Sequence, residues 1–138
     1  MEKEILVNKW QTPDGTILHS KHVHDFVGHR DKITKEEYFI DGGNEYVRMS
    51  INKIPMKSLC FYTDSPFEEI RKGYGRMAFN EETKKHYYIL LKDMSDEHLI
   101  NAINYNYEHG YGFLCKTNVQ YLRELMYRKG LNVDNIYK

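Results

Sequence analysis

Cysteine, proline and net charge are all scarce in this chain, and each scarcity excludes something. Two cysteines, Cys60 and Cys115, are too few for a disulfide framework. Three prolines and nine glycines in 138 residues leave no Pro- or Gly-rich linker. Twenty basic and twenty acidic side chains cancel. No whole-molecule field therefore draws the protein to nucleic acid or to an anionic membrane, although a local basic pocket remains compatible with neutrality. No apolar run approaches the roughly 20 residues of a membrane helix. The stretch Met1-Glu2-Lys3-Glu4-Ile5 lacks the apolar core of a signal peptide. The expectation is a cytoplasmic protein, 1–138 forming a single domain. Aromatics are abundant by contrast: twelve tyrosines and six phenylalanines. Tyrosine suits a small core, a homo-oligomer contact or a stacking surface for a nucleobase, and abundance alone does not choose among them.

Local signals divide the chain. Residues 5–11 alternate in polarity and run into Thr12-Pro13-Asp14-Gly15, which predicts a strand and a turn. Residues 16–27 read as a second strand bent near Ser20, followed by a charged loop over 29–35. Residues 36–40 and 45–50 read as two strands joined by a hairpin turn at Asp41-Gly42-Gly43-Asn44. Residues 58–63 form a fifth strand. The first half is thus an antiparallel β-meander. Ser65-Pro66-Phe67-Glu68 predicts a capping box opening a short helix that stops at Gly73. Residues 76–79 and 86–91 predict a hairpin around 80–85. Ser95-Asp96-Glu97 opens a helix to about Tyr107, and Thr117-x-x-Gln120 predicts a capping box for a last helix ending at Gly130. The tail 131–138 is polar, with an apolar pair at Ile136-Tyr137. The fold class is α+β, an N-terminal meander over roughly 5–63 followed by C-terminal helices over roughly 65–130.

Two runs carry more polar specificity than a half-buried strand requires: Ser20-Lys21-His22-Val23-His24-Asp25-Phe26 and Asp41-Gly42-Gly43-Asn44-Glu45-Tyr46-Val47-Arg48. They form either a polar network that fixes the fold or a site. On a strand, His22 and His24 would share a face. With Asp25 they could serve a metal-dependent hydrolase, but no strong zinc spacing is present and the expected metal and cofactor content is none. His24 and Asp25, as neighbours on a strand, would point apart, and neither Ser20 nor Cys60 lies in a nucleophile motif. No catalytic residue is assigned.

Arginine is the rarer base, six against fourteen lysines, so each invites a reason. Arginine holds phosphate bidentately and stacks on aromatic planes. In the last helix Arg123 lies four residues before Tyr127, and Tyr121 and Arg128 lie on another stripe. The candidate ligand-binding set is Arg123 and Arg128, with Arg48 or Arg71 opposite and Tyr46, Tyr121 or Phe67 as the stacking surface.

The Trp10-Gln11-Thr12-Pro13-Asp14-Gly15-Thr16-Ile17 segment, the His-x-His-Asp-Phe run and the Asp-Gly-Gly-Asn-x-Tyr-x-Arg run together resemble a widespread family of small phage-encoded proteins. The likeness extends through the helix at 67–71 and the Leu91-to-His98 segment and covers most of residues 10–128. Some short relatives resemble a rubredoxin-type knuckle, with cysteine pairs near the first turn and the later loop. This chain has Thr12, Gly15, His29 and Asp31 in those regions. The architecture is also similar to phage anti-defence sponges of the anti-Thoeris type. That resemblance implies a non-enzymatic homo-oligomer that sequesters a nucleotide-derived immune signal, a cyclic ADP-ribose or a cyclic oligonucleotide, in the host cytoplasm. The balanced charge and the lack of a long apolar run, for their part, imply no non-specific nucleic-acid binding and no membrane partner. A phage adaptor that binds a host protein through a Tyr-rich surface is the alternative of another class.

Overall fold

A computed structural model describes residues 4–134; the Ile136-Tyr137 pair lies outside the described residues. Antiparallel strands precede the C-terminal helices, an α+β arrangement. The chain divides into two compact units, meeting in sequence between Ser65 and Pro66.

The first unit is built on β1 (Ile5–Gln11), whose bounds match the alternating segment. It pairs antiparallel with β2 (Ile17–Ser20) along one edge, with Trp10 opposite Leu18. Its other edge takes two short strands, β6 (Lys57–Ser58) and β7 (Phe61–Tyr62). Flanked on both sides, the first half of β1 is buried at every position from Ile5 to Asn8 rather than at alternate ones. A separate sheet runs β3 (Val27–Arg30), β4 (Glu37–Asp41), β5 (Arg48–Met49). Leu18, Tyr38, Ile40 and Met56 form the core, with Trp10, Val27 and Met49 packed against them.

Three strand expectations are corrected. The strand expected over 16–27 is two strands, because the chain turns at 21–26: the Asp25 amide donates to the His22 carbonyl at 2.9 Å and the Phe26 amide to the His24 carbonyl at 3.2 Å. His22 and His24 therefore do not share a strand face. The Asp41–Asn44 hairpin is wider than expected. Asp41 pairs with Arg48, so residues 42–47 form the loop. The strand expected over 58–63 is interrupted between Ser58 and Phe61, where β1 exchanges one partner for the next.

Charged side chains close the loops of this unit. Asp14 receives the Thr12 hydroxyl at 2.8 Å, the Thr16 amide at 2.9 Å and the Lys32 amide at 2.8 Å, and it contacts His29 Nε2 at 2.8 Å. Asp31 receives the Asp14 amide at 2.8 Å and the Ile33 and Thr34 amides at 3.0 and 2.7 Å. The first turn and the loop before β4 are thus tied by two carboxylates. Hydrogen bonds from Thr16, then His29 and Lys32, hold Asp14 well below the usual carboxylate range. Burial pushes Asp31 up, but its bonds from Thr34 and Asp14 outweigh that and hold it low as well. Both carboxylates stabilise the fold above their unfolded values, and that contribution is lost only as pH falls below about 4.

His19 acts in a higher window. Burial, then Lys21 and Lys9, lower its pKa from 6.5 to about 4. The unfolded chain takes up this proton first, so stability present above pH 6.5 is lost as pH falls from 6.5 towards 4. The urea midpoint of the first unit is expected to decline across that window. His19→Gln should flatten the decline, and an unchanged slope would assign it to other groups.

The second unit begins with α1 (Phe67–Gly73). Its expected capping box does not form. Ser65 Oγ accepts instead from the Tyr62 amide at 3.0 Å, Pro66 occupies the cap position, and the Phe67 amide donates to Asp134 Oδ1 at 2.8 Å. The expected hairpin is present as β8 (Gly75–Asn80) and β9 (Lys85–Leu90). A 3-10 turn, Leu91–Asp93, leads to α2 (Asp96–Glu108), whose cap Ser95 accepts from the His98 amide at 3.0 Å. The last helix, α3 (Lys116–Arg128), starts two residues earlier than the Thr117 box implied, with Cys115 at its cap. Thr117 Oγ1 instead accepts from Asn106 of α2 at 3.0 Å. Among the described residues no helix is long and apolar enough to cross a membrane.

Candidate functional site

The two polar runs resolve into a network. Asn8 of β1 donates to the carbonyls of Asp41 at 3.0 Å and Tyr46 at 3.3 Å, and its Oδ1 accepts from Trp10 Nε1 at 2.9 Å. Ser20 Oγ donates to the Asp25 carbonyl at 2.7 Å and accepts from the Gly43 amide at 2.9 Å. Asp41 accepts from the Gly42 amide at 2.8 Å and from Arg48 at 2.9 Å. Asp25 accepts from the Lys21 amide at 2.9 Å. Gly42 and Gly43 both take positive φ, +103° and +54°. The backbone leaves no room for a side chain: a Cβ on Gly42 would lie 2.1 Å from the Tyr46 carbonyl oxygen, and one on Gly43 2.2 Å from the His22 carbonyl carbon. Buried backbone groups of a long loop need partners, and these side chains supply them.

His22 and His24 are exposed on the turn, and Asp25 is occupied in closing it. Among the described residues no group of three or more His, Cys, Asp or Glu side chains is arranged to hold a metal ion.

The expected ligand set is distributed over both units. Tyr46 and Arg48 lie on the 42–48 segment of the first unit, exposed, with Arg48 paired to Asp41. The second unit brings Phe67, Arg71, Arg123 and Arg128 together, but around its own acid. Glu124 is fully buried and receives Arg71 bidentately, Nε at 2.9 Å and Nη2 at 2.8 Å, and Arg128 Nε at 2.7 Å. Arg128 also donates to Asp96 at 2.7 Å and to the carbonyls of Leu91 and Met94 at 3.0 and 2.6 Å. Arg123 is 1% exposed; it donates to the Val133 carbonyl at 3.1 Å and to Gln120 Oε1 at 3.0 Å. Its guanidinium lies 4.7 Å over the buried Phe67 ring. Tyr127 stacks under Arg71 at 4.5 Å and donates to Glu68. These arginines close the unit, and no ligand is needed to account for any of them. Arg123→Ala is therefore expected to cost about 2–3 kcal/mol, since it leaves a cavity and removes the guanidinium donor from Gln120 Oε1 and the Val133 carbonyl. Urea unfolding checks this; a loss near zero would mean the guanidinium is replaceable by water.

Arg76 differs from the other five arginines. Among the described residues it forms no ion pair with a carboxylate, whereas each of the others does. It lines an open cleft, and its charge acts on Tyr121, a buried residue of α3. The cleft encloses about 480 Å³. β8 contributes Arg76, Met77, Ala78 and Phe79, and β9 contributes His86 and Tyr87. From α2 come His98, Asn101, Ala102 and Tyr105, the i, i+3, i+4, i+7 positions of one helical stripe. The adjoining stripe, Leu99, Ala102, Ile103 and Asn106, is the one that packs: the first three are buried, and Asn106 bonds to Asn118 of α3 at 2.8 Å.

Among the described residues no aspartate or glutamate lines the cleft. Phe79 and His86, opposite each other across the hairpin, have ring centroids 5.0 Å apart. Burial, and then Arg76, push the His98 pKa below its ordinary value, so its imidazole is neutral near pH 7. Tyr121 is raised by burial, with Arg76 opposing, and stays a phenol. The cleft thus offers one fixed cation, two imidazoles, an amide and three aromatic rings. The sequence reading passed over Arg76 because Tyr and Arg are denser on α3. The signal that could have found it is the His98, Asn101, Tyr105 stripe on a capped helix, polar where a packed face would be apolar.

No family model matches this chain, and neither does any curated protein or solved structure.

Proposed function

We propose that the protein binds a small nucleotide in the cleft between the β8–β9 hairpin and α2 and holds it without cleaving it. The observation that carries this reading is Arg76, which among the described residues has no carboxylate partner and lines a cleft without an acid. A phosphate needs charge-assisted donors, and an arginine already neutralised by an acid is a poor one. Phe79, Tyr87 and Tyr105 supply ring surface for a base, and Asn101 a paired donor and acceptor for its edge. The volume suits one drug-sized ligand. Sequestration of an immune nucleotide by a cytoplasmic phage protein, acting as a homo-oligomer, is the role this binding would serve; the sequence resemblance supports it.

The test begins with thermal shift against AMP, 3′,5′-cyclic AMP, cyclic dinucleotides, cyclic trinucleotides and ADP-ribose cyclisation products. A ligand at a thousandfold its Kd adds about 4 kcal/mol to the native state. Arg76→Ala is expected to abolish the shift while costing the unliganded protein only about 1 kcal/mol, the usual loss for a side chain that holds no buried ion pair. Bound ligand released on denaturation should be chemically intact. An altered product would make the protein an enzyme. No shift with any nucleotide would favour a protein-binding adaptor.

A further inference from the structure

The lining of the cleft also restricts which nucleotides fit, an inference that rests on the nucleotide reading above. Terminal di- and triphosphates carry several negative charges and travel with a chelated divalent cation. Sites that take them offer acidic side chains towards the metal, a lysine, and consecutive backbone amides of a glycine-rich turn. Among the described residues the cleft lining contains no Asp, Glu, Lys, Gly, Ser or Thr. The fixed charge among them is the guanidinium of Arg76, and the nearby imidazole of His98 is held neutral. Aromatic surface outweighs charge.

Tyr105 has one side already covered. The His109 ring stacks on it at 3.9 Å and 23°, and His109 Nδ1 lies 2.7 Å from the Tyr105 carbonyl oxygen. A ring fixed in this way presents its remaining surface to the cleft at little entropic cost. Asn101 stands one turn earlier on the same helix.

We infer that the cleft takes a nucleotide bearing a single phosphate, as monoester or cyclic diester, without a divalent cation, its base on Tyr105 and its phosphate on Arg76. One guanidinium balances a cyclic diester and most of the charge of a monoester, about −1.5 to −2 at pH 7. With no carboxylate among the described lining residues, the groups that would recruit a metal-bound polyphosphate are missing from them.

Titration calorimetry on the full chain with AMP, 3′,5′-cyclic AMP and ATP, each with Mg²⁺ and with EDTA, tests this. At least one of the single-phosphate probes is expected to bind about tenfold or more tighter than Mg²⁺-ATP. EDTA should leave that affinity unchanged, and the cyclic and open probes tell diester from monoester. Tyr105→Leu, which keeps bulk but loses the ring, should weaken the single-phosphate probe about tenfold. Tighter binding of Mg²⁺-ATP, or loss of AMP and cyclic AMP binding in EDTA, would overturn the inference while leaving the nucleotide reading standing. If cyclic dinucleotides bind and none of these three probes does, the single-phosphate limit is wrong. Silence from every nucleotide overturns the reading beneath it.

Discussion

Glu124→Ala should destabilise the second unit by about 3–5 kcal/mol, the cost of removing one partner from a buried ion pair. Glu124 is fully enclosed, and both its carboxylate oxygens are used. Arg71 takes one oxygen with Nε and the other with Nη2, while Arg128 shares the second. Without the carboxylate, two guanidinium groups face one another with nothing between them. They repel, and the half-buried side of each loses its strongest acceptor. The effect spreads beyond the pair, since Arg128 also satisfies the Leu91 and Met94 carbonyls at the turn into α2. A small domain has only about 5–15 kcal/mol in total, so this loss is visible as a large fall in urea midpoint followed by helical circular dichroism. Glu124→Gln keeps the shape and one acceptor and should cost less. A Glu124→Ala loss below about 1 kcal/mol would mean that water replaces the carboxylate, and the triad would not be holding α1, α2 and α3 together.

Gly43→Ala has the largest expected effect in the first unit, about 3 kcal/mol or more. Two costs add. The left-handed backbone at φ +54° costs an L-residue about 1–2 kcal/mol. The new Cβ would also meet the His22 carbonyl carbon, oxygen and Cα at 2.2–2.5 Å. These are backbone atoms, so no rotamer change relieves the clash. Moving the His22 turn would break the Gly43 amide bond to Ser20 and the Ser20 bond to the Asp25 carbonyl. Loss of chemical-shift dispersion for residues of β2 and β3, with the second unit unaffected, would show it. A stable Gly43→Ala protein with unchanged spectra would contradict the close approach of the two loops.

Elements with strong local signals were legible in the sequence. β1 keeps its expected bounds and runs into the Thr-Pro-Asp-Gly turn, and the β8–β9 hairpin, the Ser95 cap and the Gly130 stop all stand where residue type puts them. Elements fixed by distant partners were not. Trp10 pairs with Ser58, and Ile5 with Tyr62, through contacts that no local pattern encodes. The Ser65 capping box has the right residues, yet Tyr62 takes the hydroxyl and Asp134 takes the Phe67 amide. The His22–Asp25 run looked like a strand because its polarity alternates, although its backbone closes on itself. Of the polar residues in the two motif runs, the structure assigns Ser20, Asp41 and Arg48 to bonds that hold the 42–47 loop and Asp25 to the 21–26 turn, while His22 and His24 are exposed. The arginines show the same limit for the candidate site. Arg71, Arg123 and Arg128 differ from Arg76 in their partners, not in residue type, and partners belong to the tertiary structure.

The most direct test of the account is where a nucleotide lands. Amide chemical shifts of the ¹⁵N-labelled protein, recorded through a titration with whichever nucleotide raises the melting temperature most, locate it. The account predicts perturbations clustered on Arg76, Phe79, His86, His98, Asn101 and Tyr105, absent in Arg76→Ala. Perturbations confined to residues 4–65, or centred on Arg123 and Arg128 while the cleft stays silent, would contradict it.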